Sequence, residues 1–152
     1  MDMTDATDTP DNTTDNPQQL RDRRAAYALL RIILGTNILM HGLSRLLAGS
    51  SQFATKLVPQ FSHTPLPLSL VYSFGLVLPW TEALFGLLLV VGLRTRAALV
   101  GGSTLILMLT FGSALAQDWS AASIQLTYAA VYAALLFLIS YNGWAVDALL
   151  TE

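Results

Sequence analysis

Between residues 67 and 93 the chain carries a single charge, Glu82, in a run that is otherwise almost wholly apolar. About 20 such residues in helical form cross the hydrocarbon of a bilayer, so the run reads as a membrane span with an acid at membrane depth. An ionisable group there is costly and marks either a partner or a working site. Three residues earlier stands Pro79, which has no backbone N–H to donate and leaves the carbonyl of Gly75 without its helical partner. Gly75, Pro79, Glu82 and Gly86 fall on one helical face. Two small residues, a freed carbonyl and an acid together make a surface for another helix to pack against. Leu76, Val77, Leu84, Leu87, Leu88 and Val91 are left to meet lipid.

The rest of the chain extends this reading. Only 12% of its residues are charged and 53% are hydrophobic, whereas soluble domains carry nearer a quarter charged. Further spans are read over residues 25–47, 97–116 and 121–141, all helical because backbone polar groups in hydrocarbon must be satisfied within their own segment. The expected fold is therefore all-α, an integral membrane four-helix bundle formed by residues 25–147. Residues 1–24 are expected to form a disordered, acidic cytoplasmic tail, and residues 148–152 a short C-terminal one. Six of the ten acids lie in the first 22 residues, without a basic opening or an apolar core of the kind a secretory signal has. Arg21, Arg23, Arg24, Arg94 and Arg96 flank one side of the spans, with Arg45 and Lys56 on the other. The first side is expected to be cytoplasmic, with both termini inside. Between the first two spans, Phe53, Leu57 and Phe61 recur every four residues beside Pro59 and Pro65, which predicts a short outer-surface helix or lid.

The absence of cysteine excludes thiol redox chemistry and iron–sulfur clusters. Haem would need His63 as a second ligand to His41, and His63 lies in the proline-rich outer loop. No dinucleotide fingerprint or phosphate loop occurs. Neither haem, flavin, iron–sulfur cluster nor metal is expected, and any redox role must use a bound small molecule.

Three groups of residues offer chemistry. Asn37, His41 and Ser44 share one face of the first span, beside a stripe of Arg31, Gly35, Gly42 and Arg45. Counting 1.5 Å per residue from the cytoplasmic ends puts Asn37 about 18 Å deep and Glu82 about 16 Å deep, so the two are expected to face each other. Arg31 is expected to climb toward Glu82. Such a pair would keep the acid ionised, whereas Asn37 and apolar walls alone would let it hold a proton. His41 reads either as a histidine hydrogen-bonded inside the bundle or as a proton relay or donor to a quinone carbonyl. In the last span Gln125, Tyr128 and Tyr132 align, offering an amide and two phenols to a flat headgroup such as a quinone, or simply packing.

Leu30-Arg31-Ile32-Ile33-Leu34-Gly35, then His41-Gly42 and the basic Arg45, Pro79 and Glu82, Gly92-Leu93-Arg94-Thr95-Arg96-Ala97-Ala98, and finally Trp144 and Asp147 together resemble the DoxX family of small four-helix membrane proteins. The resemblance runs from about Arg24 onward. It implies a bundle in the bacterial inner membrane and a link to quinone-dependent redox systems. It matches Arg31, His41, Gly42, Pro79 and Glu82 to the family pattern. Arg45 stands where lysine is commoner, and Gly143 where an arginine would precede Trp144. The expected function is an integral membrane subunit of a quinone-linked redox system. In it Arg31 orients Glu82, His41 donates to quinone or relays a proton, and Asn37, Gln125, Tyr128 and Tyr132 line the pocket. The alternative is a non-catalytic membrane scaffold or assembly partner of a redox or stress-response complex, and a weaker third is a transporter. Membrane lipid and a partner protein or second copy are the expected partners, with no nucleic acid.

Overall fold

A computed structural model describes residues 16–150. Its helices are α1 (Pro17–Leu47), α2 (Ser50–Leu57), α3 (Leu68–Val91), α4 (Thr95–Leu115), α5 (Trp119–Phe137) and α6 (Val146–Leu150). Of these, α1, α3, α4 and α5 are long and apolar enough to cross a membrane, and they run alternately up and down.

α1 starts well before the expected span. Asn16 accepts the N–H of Gln18 at 3.2 Å and Pro17 occupies the first turn, where its missing N–H is no loss. Residues 17–24 are therefore helical rather than part of a disordered tail; the remainder of that expected tail, residues 1–15, lies outside the described residues. Arg23 fastens this extension to the far end of the chain, with Nη1 donating to Tyr141 Oη at 2.8 Å.

The face of α3 read from the sequence is the packed one: Gly75, Pro79, Glu82 and Gly86 are all buried. Its partners differ along its length. Gly86 and Pro79 lie against α1, and a Cβ added at Gly42 would come within 2.4 Å of Ala83 N and 2.6 Å of the Pro79 carbonyl. Gly75 lies against the lid instead, where an added Cβ would sit 2.9 Å from Ala54 Cα. Small residues thus let α3 approach both neighbours backbone to backbone, which is how helices associate where no hydrophobic drive operates between them.

The lid is α2 followed by a 3-10 turn over Val58–Phe61. Gly49, at φ 94°, begins it. α4 and α5 pack as a second hairpin whose core meets α1 and α3 through Leu34, Ile38, Leu89, Leu99, Ile106, Tyr132 and Leu135. Tyr132 is seated over Gly102, where an added Cβ would lie 2.4 Å from the phenol oxygen.

Candidate functional site

Among the described residues the two buried charges are Arg31, 1% exposed, and Glu82, 5% exposed, and they do not pair. Glycine contacts set the register between α1 and α3: Gly35 lies against Gly86 and Val90, and Gly42 against Pro79 and Ala83. This places Glu82 level with His41, about one turn closer to the lid than a count from span ends gives, and out of reach of Arg31 and Asn37.

The partner of Glu82 is Arg45. Its Nη1 donates to both carboxylate oxygens at 2.5 Å, and the guanidinium lies over the Phe53 ring, 4.6 Å from the centroid. The ion pair thereby ties α1 to α3, and the cation–π contact draws the lid onto both. Nε and Nη2 of Arg45 make no hydrogen bond among the described residues. Arg45 also stands on the wall of a cavity of about 480 Å³ enclosed by the lid, α3, α4 and the start of α5. Phe53, Phe61, Phe74, Leu78, Met108 and Gln125 are among its lining residues, and Arg45 is the one cation among the described lining residues. The cavity is mostly apolar, with Arg45 on one wall and Gln60, Ser113, Asp118 and Gln125 as its other polar lining residues, the composition of pockets that hold small apolar ligands by a few directed contacts.

Gln125 is the expected ligand residue that reaches this cavity, where Nε2 donates to Ser113 Oγ at 2.9 Å. Tyr128 and Asn37 meet elsewhere, on the outer seam between α1 and α5, with Tyr128 Oη donating to Asn37 Oδ1 at 2.8 Å. A shallower cavity of about 320 Å³ lies beside them. Tyr132 is core. His41 is exposed on the outside of α1 rather than enclosed in the bundle.

Arg31 works at the opposite end. Nη1 donates to the Leu89 carbonyl at 2.6 Å and Nη2 to that of Trp144 at 2.8 Å, so one side chain joins α1, α3 and the segment after α5. Gly92, at φ 74°, turns the chain out of α3; a Cβ there would lie 2.2 Å from Arg31 Nη1. Asp147 completes the junction, accepting Arg94 N–H at 2.5 Å and Thr95 N–H at 2.7 Å. Those are unpaired first-turn donors of α4, whose own cap residue, Arg94, offers no side-chain acceptor and sits at φ 47°. Where the expected arginine is replaced by Gly143, the stem of Arg24 packs over it.

Burial pushes the Asp147 carboxyl up, but the hydrogen bonds from Thr95 and Arg94 and the nearby Arg31 charge outweigh it and hold the group below the usual carboxylate range. A depressed folded-state pKa means that the carboxylate stabilises the fold fully above its unfolded value of about 4 and loses that contribution as pH falls further. Asp147→Ala is expected to lower stability by about 1–2 kcal/mol, the size of a lost helix cap. Thermal melts of the solubilised protein across pH 3–6, roughly bracketing the carboxylate range, check it: the acid-side drop attributable to this group should vanish in the variant.

A family model for DoxX matches residues 26–116. The chain belongs to the DoxX family. Comparison with the curated proteins and with the solved structures gives no match. The matched residues contain α1 from residue 26 on, the lid, α3 and α4, and with them Arg31, Arg45, Glu82 and most of the cavity wall. Gln125, Tyr128, Tyr132 and Asp147 lie beyond them. The protein is a multi-pass membrane protein by its family and its four apolar helices.

Arg45 was visible in the sequence as a member of the α1 stripe, but only the register makes it the partner of Glu82. Asp147 was visible as a residue after the last span, with nothing local to point to α4.

Proposed function

We propose that this DoxX protein is an integral membrane subunit of a quinone-linked redox system, and that the cavity under the lid receives the quinone headgroup at Arg45. The observation that carries the reading is Arg45, its guanidinium paired with Glu82 and stacked on Phe53, standing in the wall of an apolar, aromatic-lined cavity. A quinone head is flat, apolar in its faces and carries carbonyl acceptors, which such a wall complements. Arg45 would donate to a carbonyl oxygen, Glu82 would hold Arg45 in place, and the phenylalanines would flank the ring. Arg21, Arg23, Arg24, Arg94 and Arg96 lie toward one end of the bundle, with Arg45 and Lys56 toward the other. This supports a bacterial inner-membrane placement with the termini cytoplasmic and the lid outside.

One observation favours the scaffold reading beside it. The most deeply buried charge, Arg31, uses its Nη donors on backbone carbonyls of two other segments. Buried polar groups in this chain therefore do specify packing.

Quinone content of the gently solubilised full chain separates the two readings. Wild type should retain quinone, and a paired Arg45→Met, Glu82→Gln variant, which leaves no orphan charge, should fold and lose it. A folded wild type that never carries quinone sinks the redox reading and leaves the scaffold.

A further inference from the structure

Two sets of residues that line the cavity under the lid also lie on the outside of the molecule. One is polar and sits at the lid rim, Gln60 and Asp118. Its groups are already engaged: Gln60 Nε2 donates to the Lys56 carbonyl at 3.4 Å, and Asp118 Oδ1 caps α5 by accepting Ala121 N–H at 3.0 Å. The other is apolar and forms the two lips of the seam between α3 and α4. Leu70, Met108 and Phe111 are 57%, 52% and 60% exposed while lining the cavity. Deeper along this seam Phe85 fills the space over Gly101, where an added Cβ would lie 2.5 Å from the ring, and closes it. The gap is thus confined to the lid-end part of the two apolar helices, whose lips there are apolar and exposed.

The deep end of the cavity fixes the chemistry of what enters. Arg45 is already neutralised by Glu82, so an anionic head would bring an uncompensated negative charge into an apolar site, at considerable cost. A head bearing only donors would meet the donors of Arg45. An uncharged head with oxygen acceptors meets neither penalty. The volume, about 480 Å³, holds one ring and the first carbons of a chain; the remainder must leave, and the only apolar lips are those of the α3–α4 seam among the described lining residues.

We infer that the ligand of this cavity is a bilayer-borne amphiphile with an uncharged, hydrogen-bond-accepting head and a long apolar tail. Its head lies at Arg45 and its tail passes between Leu70 and Phe111 into lipid. This rests on the quinone reading of the same cavity and adds which quinones it takes: long-chain, membrane-resident ones, admitted sideways from the bilayer.

The test titrates the full-length solubilised protein with three probes, read by native mass spectrometry: a tail-less benzoquinone, the same head with a decyl tail, and a long-chain carboxylate. In wild type the decyl quinone should bind at least about tenfold more tightly than the tail-less head, since each buried methylene favours binding by about 0.8 kcal/mol. The carboxylate should bind at least about tenfold more weakly than the decyl quinone, because its charge is unbalanced beside a neutral pair. Leu70→Trp, which narrows the seam, should weaken the decyl quinone about tenfold and leave the tail-less head within about twofold. Met108→Trp, on the opposite lip, gives the same readout, so misfolding of one variant leaves the test standing. Gln60→Trp, at the watery rim of the same cavity, should leave the ratio of decyl to tail-less quinone affinity as in wild type. Equal binding of tailed and tail-less quinones, a block by Gln60→Trp in place of the seam variants, or a carboxylate that binds as well as the quinone each overturn this inference while the quinone reading stands. Binding of neither quinone overturns both.

Discussion

Gly86→Val and Gly42→Val are each expected to abolish the folded bundle. A Cβ at Gly86 would lie 2.3 Å from Leu39 N and 2.6 Å from Leu39 Cα, and one at Gly42 would lie 2.4 Å from Ala83 N. These neighbours are backbone atoms of a facing helix, so no rotamer change relieves the contact and α1 and α3 must move apart. Separation would loosen the Arg45–Glu82 pair and the Leu34, Ile38 and Leu89 packing together. Overpacking ordinarily costs about 1–3 kcal/mol; two rigid helices forced apart along their shared length should lie at or above the top of that range. The measurement is the fraction of monodisperse protein after solubilisation, with Gly112→Ala as the control. Gly112 is also helical, but its Cβ would meet Phe61 at an ordinary 3.4 Å, so that variant should match wild type. A Gly86→Val protein as well behaved as Gly112→Ala would mean that α1 and α3 do not approach as described.

The same glycines explain what the sequence could and could not disclose. Spans were legible because length and apolarity are properties of one segment at a time, and the buried face of α3 was legible because helical periodicity is local. The lid was legible from the spacing of Phe53, Leu57 and Phe61. Register between helices is not local. It follows from which small residue meets which backbone, and a depth count from guessed ends placed Glu82 opposite Asn37 when Gly42 and Gly86 place it opposite His41. That one displacement changed the partner of the acid from Arg31 to Arg45 and moved the candidate site from the centre of the bundle to the cavity under the lid. The three aligned residues of α5 were dispersed for a related reason. A helix face wide enough to hold Gln125, Tyr128 and Tyr132 touches the lid cavity, the α1 seam and the α4 core in turn. The polar composition of residues 17–24 suggested disorder, yet the Asn16 cap, Pro17 and the tie from Arg23 to Tyr141 suffice to continue the helix. Asp147 capping α4 joins residues more than fifty apart, which no spacing rule reaches.

Removing Arg45 alone should be far worse than removing Arg45 and Glu82 together. Arg45→Met leaves Glu82 buried against α1 and the lid without a counter-charge, and loss of one member of a buried pair costs about 3–5 kcal/mol. It also frees Phe53, so the lid loses its hold on α1. Glu82→Gln should be milder, because Arg45 is partly exposed and its charge can turn toward the lid-end surface. In the paired Arg45→Met, Glu82→Gln variant neither orphan charge remains, and a buried pair replaced on both sides is often close to neutral. A double-mutant cycle on melting temperature therefore predicts strong coupling, with the paired variant more stable than Arg45→Met. If the two single losses simply added, the 2.5 Å contacts would not be the ones holding the acid. The value of the cycle lies in what it separates. A paired variant that melts like wild type shows that the fold does not require the charges, so any loss of quinone from it reports on the cavity beside the pair and not on folding.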